Sequence, residues 1–134
     1  MAEQQQQRSL SAELQELFWV ALGAVPGALV RWHVALHWAD RHVLVNVLGA
    51  ALLGLLAGLP AAPRRQLLVG IGFCGSLTTF SSWMVDAMQL ISTGQIAEAL
   101  GLVGLTLGLG VGAAALGFWL GQRLRPLTPP RSEP

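Results

Sequence analysis

Polar residues open the chain, and four apolar stretches follow at about 17–38, 43–59, 67–91 and 96–121. A helix needs about 20 apolar residues to cross the hydrocarbon of a bilayer, with a lower limit of about 17. The pattern predicts an all-α membrane protein of four transmembrane helices, the second the shortest, in one domain over 17–122. Pro60, Pro63, Arg64 and Arg65 mark one turn, and Ser92-Thr93-Gly94-Gln95 the next. Residues 1–16 form a polar N-terminal tail with a Gln4 to Gln7 run, expected to fray. No basic start leads into an apolar core and cleavage site, so no cleaved signal peptide is expected. Residues 123–134, with Pro126, Pro129 and Pro130, are expected to be a disordered C-terminal tail.

The third apolar stretch is interrupted by chemistry of its own. Gly72 to Trp83 contains Gly75, the hydroxyls of Ser76, Thr78, Thr79, Ser81 and Ser82, and the rings of Phe73 and Phe80. Ser and Thr compete for backbone hydrogen bonds, and Gly weakens a helix interior. We expect a helix broken near its middle, and irregular backbone at membrane depth survives only where protein or a polar cavity covers it. A kinked packing helix is the plainer alternative. Elsewhere, Pro26 beside Gly23 and Gly27 predicts a kink in the first span. Ala50, Gly54 and Gly58 form one ridge of small residues, and Gly104, Gly108 and Gly112 repeat it on the fourth span, each suited to close helix approach.

Composition agrees with the membrane reading. Hydrophobic residues make up 53% of the 134, charged residues 11%, and neither Lys nor Tyr occurs. Globular proteins carry about 25% charged residues. The lone Cys74 excludes a disulfide framework within the chain, and a net charge of +1 gives no reason to expect nucleic-acid binding. Four spans place both termini on one side, with Arg8, Arg64, Arg65, Arg123, Arg125 and Arg131; the opposite loops hold only Arg41. The positive-inside rule then puts both termini in the cytoplasm, with the chain in the cell (inner) membrane. Arg31 falls inside the first span, where a charge costs about 2.5–3.5 kcal/mol at the centre. It is expected to face a partner, a cavity or the interface, with snorkelling as the alternative.

Three motifs carry a family resemblance. Gly72-Phe73-Cys74-Gly75-Ser76-Leu77-Thr78-Thr79-Phe80-Ser81 resembles the signature of the small fluoride channels of the Fluc/CrcB family. Asn46-Val47-Leu48-Gly49 resembles the family's second-helix motif, and Gly27-Ala28-Leu29-Val30-Arg31-Trp32 its first-helix motif. Their order and spacing match over roughly residues 20–122. The resemblance implies passive fluoride export that reduces fluoride toxicity, and an antiparallel dimer. Phe80 and Trp83 fall at its aromatic box along the pore, and Asn46 at its pore asparagine. Thr106 falls where the fourth helix offers a hydroxyl, and Gly75 and Thr78 at positions whose carbonyls hold a structural sodium ion. Some members pair with themselves and others with a related sister chain of opposite orientation; the lopsided arginines fit the second arrangement.

The residue types suit that chemistry. Fluoride is small and strongly hydrated, and conduction needs weak, repeated sites rather than a tight one. The Asn46 amide and the hydroxyls of Thr79, Ser81, Ser82 and Thr106 are neutral donors, and the edge of an aromatic ring such as Phe80 is positive. Oxygen-only ligation suits a hard cation. Each residue has a structural alternative: Asn46 as a bond between helices, Phe80 as a core or lipid-facing ring, Thr106 bonded back to its own helix. Departures from the family also stand out. Trp83 replaces a usual Phe, Leu102 a usual Tyr, Ser76 a usual Gly, and Asp86 a usual Glu at a candidate pore mouth. They leave room for a non-conducting or specialised partner subunit in a heterodimer. A small four-helix multidrug exporter would need a carboxylate deep in the first span, which has none. An enzyme is not expected. His33 and His37 lie four apart, a spacing that could bind a metal, but an interfacial cluster with His42 is the simpler reading.

Overall fold

The computed structural model describes residues 2–37 and 42–125. Helix α1 spans Ala2–His37 and runs through Pro26. The polar lead is therefore helical rather than frayed, continuous with the apolar part. Helix α2 spans His42–Gly58. The third span is in two pieces. Its first, α3, covers residues 63–77: an α-helical turn Pro63–Arg65, a π-helical stretch Gln66–Cys74 and a last turn Gly75–Leu77. Its second, α4, spans Ser81–Ser92. Gly94, with φ of +81°, takes the left-handed turn that favours Gly after a helix, and α5 spans Ile96–Arg123. The expected disordered tail beyond residue 125, Trp38 at the end of the first span, and Arg41 lie outside the described residues.

Three of the spans are long and apolar enough to cross a membrane, and α2 is shorter. Most large apolar side chains point outward: Leu100 is 68% and Val111 69% exposed. Lipid is as apolar as leucine, so burial of such residues between helices gains little; close packing of small residues holds the helices together instead. Two parallel pairs result, α1 with α3 and α2 with α5. A Cβ on Gly23 would strike the Leu68 carbonyl, and one on Gly72 would strike the Val20 carbonyl. In the other pair, Gly54 abuts the Ala114 backbone and Gly117 abuts the Ala51 carbonyl.

The Gly54–Gly58 ridge thus packs as expected, with Gly58 against Phe118 and Gly121. The ridge of Gly104, Gly108 and Gly112 does not: no atom of the described chain would come within 4 Å of a Cβ at any of the three. The packing glycines of α5 are instead Gly117 and Gly121, further along the helix than Gly112.

Candidate functional site

The helix break begins with a competition for hydrogen bonds. In an unbroken α-helix the Thr79 amide would bond the Gly75 carbonyl, four residues back. Here it donates to Asn46 Oδ1 at 2.7 Å, and Asn46 Nδ2 donates to the Thr79 carbonyl at 2.8 Å. One side chain on α2 thereby satisfies both polar groups of a single peptide residue. Backbone at membrane depth must be satisfied by something, and Asn46 does this for the residue at which the helix stops. Thr78 adopts an extended conformation, φ −76° and ψ 154°. Its hydroxyl bonds back to the Cys74 carbonyl at 2.9 Å, and its own carbonyl accepts a hydrogen bond from Arg31 Nη1 at 3.4 Å. Arg31 is half-buried. Its charge turns inward to the break rather than snorkelling to the membrane surface.

The two helix pairs thus meet here, Arg31 reaching from α1 and Asn46 from α2. The π-helical stretch leads into the same place. The Gly75 amide bonds back to the Gly70 carbonyl, five residues away, as well as to Gly72. Ser76 spends its hydroxyl on the carbonyls of Gly72 and Phe73, at 2.8 and 3.1 Å. π-Bulges of this kind recur at functional sites in helices. Gly75 itself is exposed, with open space where a side chain would stand.

Hydroxyls and rings gather past the break. Thr79 Oγ1 lies 3.4 Å from Ser81 Oγ and 3.2 Å from Ser82 Oγ. Phe80 and Trp83 meet edge to face, with ring centroids 4.8 Å apart. Phe80 is 67% exposed and Trp83 only 6%, so one ring looks out of the protomer while the other is held inside it. Thr106 is buried on α5, and its hydroxyl has no hydrogen-bond partner. It therefore does not bond back to its own helix. Of the candidate residues, Asn46, Thr78, Thr79, Phe80, Ser81 and Trp83 form one group with Arg31. Gly75 lies just before the break, and Thr106 lies on α5, which packs against α4.

A cavity of about 410 Å³ opens beside Trp83, lined also by Val43, Asp86, Gln89, Leu90, Thr93 and Leu102. Three departures from the family pattern, Trp83, Asp86 and Leu102, share this space. Gln89 and Thr93 were missed by sequence reasoning. The available signal was helical spacing: 83, 86, 90 and 93 fall on one face of a helix. His33 and His37 stack at 4.2 Å, His37 Nδ1 meeting the His33 carbonyl at 3.0 Å. Among the described residues no three potential ligand side chains group around a metal position.

Residues 18–118 match the family described as "CrcB-like protein, Camphor Resistance (CrcB)". The chain belongs to the CrcB family. It is 92% identical over 134 residues, the whole of both chains, to "Fluoride-specific ion channel FluC 2" of Synechococcus sp. (strain CC9902). It is 73% identical to the protein of that name in Parasynechococcus marenigrum (strain WH8102), covering 93% of this chain and 95% of the relative. Similarity extends to "Fluoride-specific ion channel FluC 1" of Prochlorococcus marinus, 40% identical over 90% of this chain and 94% of the relative. The CrcB match spans every element from the apolar part of α1 to most of α5 and contains both Asn46 and the break.

Proposed function

We propose that this chain is a subunit of a fluoride-specific channel that lets fluoride leave the cytoplasm passively and so limits its toxicity. The observation that carries the reading is the pair of hydrogen bonds between Asn46 and Thr79. They open the third span in the middle of the membrane and leave neutral donors beside an aromatic edge. Thr79, Ser81 and Ser82 supply hydroxyls, the second N–H of the Asn46 amide remains for an anion, and Phe80 offers ring C–H groups. The names of the relatives support fluoride as the ion. Asp86 and Trp83, side by side in one cavity, form the mouth of the path. HF enters cells neutral and ionises in near-neutral cytoplasm, so a passive path suffices.

The channel is an antiparallel dimer in the inner membrane, with both termini of this chain in the cytoplasm. Phe80, Gly75 and the open glycines of α5 then look toward the second subunit. The sodium ion is held by the carbonyls of Gly75 and Thr78 and their counterparts. Loss of the Thr79 amide leaves the Gly75 carbonyl without its usual helical donor, which suits a hard cation. The Thr78 carbonyl suits it less, because Arg31 already approaches it. When bound, sodium supplies a central positive charge. Gly75 and Thr78 orient it, and Arg31 fixes the extended residue from which one of its ligands comes.

The second subunit is a related sister chain. The one-sided arginines support this, as does the occurrence of relatives named FluC 1 and FluC 2. Fluoride efflux from liposomes, followed with a fluoride electrode, tests the proposal. This chain reconstituted with its sister should release the trapped fluoride and leave chloride inside. Release by this chain alone would instead establish a homodimer, and no fluoride-selective release in either arrangement would sink the channel reading.

A further inference from the structure

Four arginines, two tryptophans and the end of α2 lie at one face of the membrane, apart from the ion path. Arg125 Nε donates to the Gly58 carbonyl at 2.9 Å, and Arg65 Nη2 donates to the Pro60 carbonyl. Gly58 and Pro60 are two residues apart, about 7 Å at full extension, so two guanidinium groups converge on one short turn. Arg65 comes from the α1–α3 pair and Arg125 from the α2–α5 pair, which puts the turn at the end of the seam between them. Arg123 lies over the Trp119 ring at 4.5 Å, and Arg64 over the Trp19 ring at 5.9 Å. Tryptophans of this kind concentrate at headgroup depth.

Two donors at this face have no acceptor: Arg65 Nε and Trp19 Nε1 are buried without a hydrogen-bond partner. Each backbone bond uses one N–H of a guanidinium that has five. Along the chain, residues 55–75 and 115–125 contain no acidic residue. The planar fork of arginine matches phosphate oxygens two at a time, and basic pockets between helices at this depth hold anionic headgroups.

We infer that Arg65 and Arg125, flanked by Arg123 and Trp119, form a binding site for the phosphate headgroup of an anionic phospholipid at the end of α2. The site does not depend on which ion the protein conducts. The protein, purified in detergent, is mixed with equal amounts of phosphatidylglycerol and phosphatidylcholine, and the lipids that remain bound are counted by native mass spectrometry. Phosphatidylglycerol should be enriched roughly fivefold per engaged arginine. The Arg65→Gln/Arg125→Gln protein should lose that enrichment, whereas Arg41→Gln should keep it. Arg65→Lys/Arg125→Lys retains the charge without the fork and should keep only part of it; this variant also serves if the glutamine pair fails to fold. Equal binding of the two lipids by the unaltered protein would overturn the inference, as would undiminished enrichment in the glutamine pair. Displacement of phosphatidylglycerol by an equal concentration of inorganic phosphate would show a free-anion site and overturn the lipid assignment.

Discussion

Asn46 is the residue on which most depends. Asn46→Ala leaves both the amide and the carbonyl of Thr79 without their partner, and each unsatisfied group costs about 1–3 kcal/mol. We expect a clearly lower melting temperature in detergent and at least a tenfold fall in fluoride efflux. As a carboxylate, Asn46→Asp still accepts from the Thr79 amide but cannot donate to its carbonyl, so at high pH it should fall between the two in melting temperature. Equal melting of all three proteins would mean that the clamp does not hold the break. Arg31 gives a prediction of opposite sign. Its positive charge stands at the carbonyl proposed to hold sodium. Arg31→Met, which keeps the apolar stem, should lower the sodium concentration needed for half-maximal protection against thermal unfolding, by about tenfold, or roughly 1.4 kcal/mol. An unchanged or higher sodium requirement would remove Arg31 from the neighbourhood of the ion. Asn46 reads in sequence either as a pore asparagine, by resemblance, or as a bond between helices; its partner Thr79 was not legible. That Arg31 reaches Thr78 could not be read from sequence, because a charge inside a span states only that it needs a partner, not which one.

At the scale of elements, glycines divide into two kinds that the sequence writes identically. Gly117 and Gly121 are pressed against α2, while Gly104, Gly108 and Gly112 face open space. Gly117→Leu should therefore prevent the α2–α5 pair from closing and lower the yield of folded protein severely. Gly108→Leu should leave the melting of the single protomer nearly unchanged yet reduce the dimer fraction measured by light scattering in detergent. If both substitutions act alike on folding, the open face has no separate role. The four spans were legible because hydropathy and length are long, additive signals. The break was legible from the density of Gly, Ser and Thr around Thr78. The π-helical stretch Gln66–Cys74 was not: its apolar pattern suits either helix, and the wider turn follows from Gly70, Gly72 and Gly75 allowing α1 and the break to dictate the register. The ridge of Gly104, Gly108 and Gly112 reads in sequence as a surface for close approach, yet no described residue packs on it, because small-residue spacing alone does not say which face of a helix is used.

The whole molecule is two parallel helix pairs, joined at the helix break by Asn46 of α2 and at one end by the turn after α2. The core is small: among the described residues Cys74 is the largest side chain with almost no exposure, as suits a protein whose outward face meets lipid. The arginine bias predicts one fixed orientation. Reporter fusions at the C-terminus should read cytoplasmic in nearly all molecules, and equal signal from both sides would defeat that prediction. The order of synthesis carries a last consequence. Asn46 precedes Thr79 by 33 residues, so the clamping amide is synthesised before the peptide group that it closes on. The break therefore cannot be latched until the third span has been made, and any chain truncated before Thr79 leaves the α2 amide without the peptide it serves.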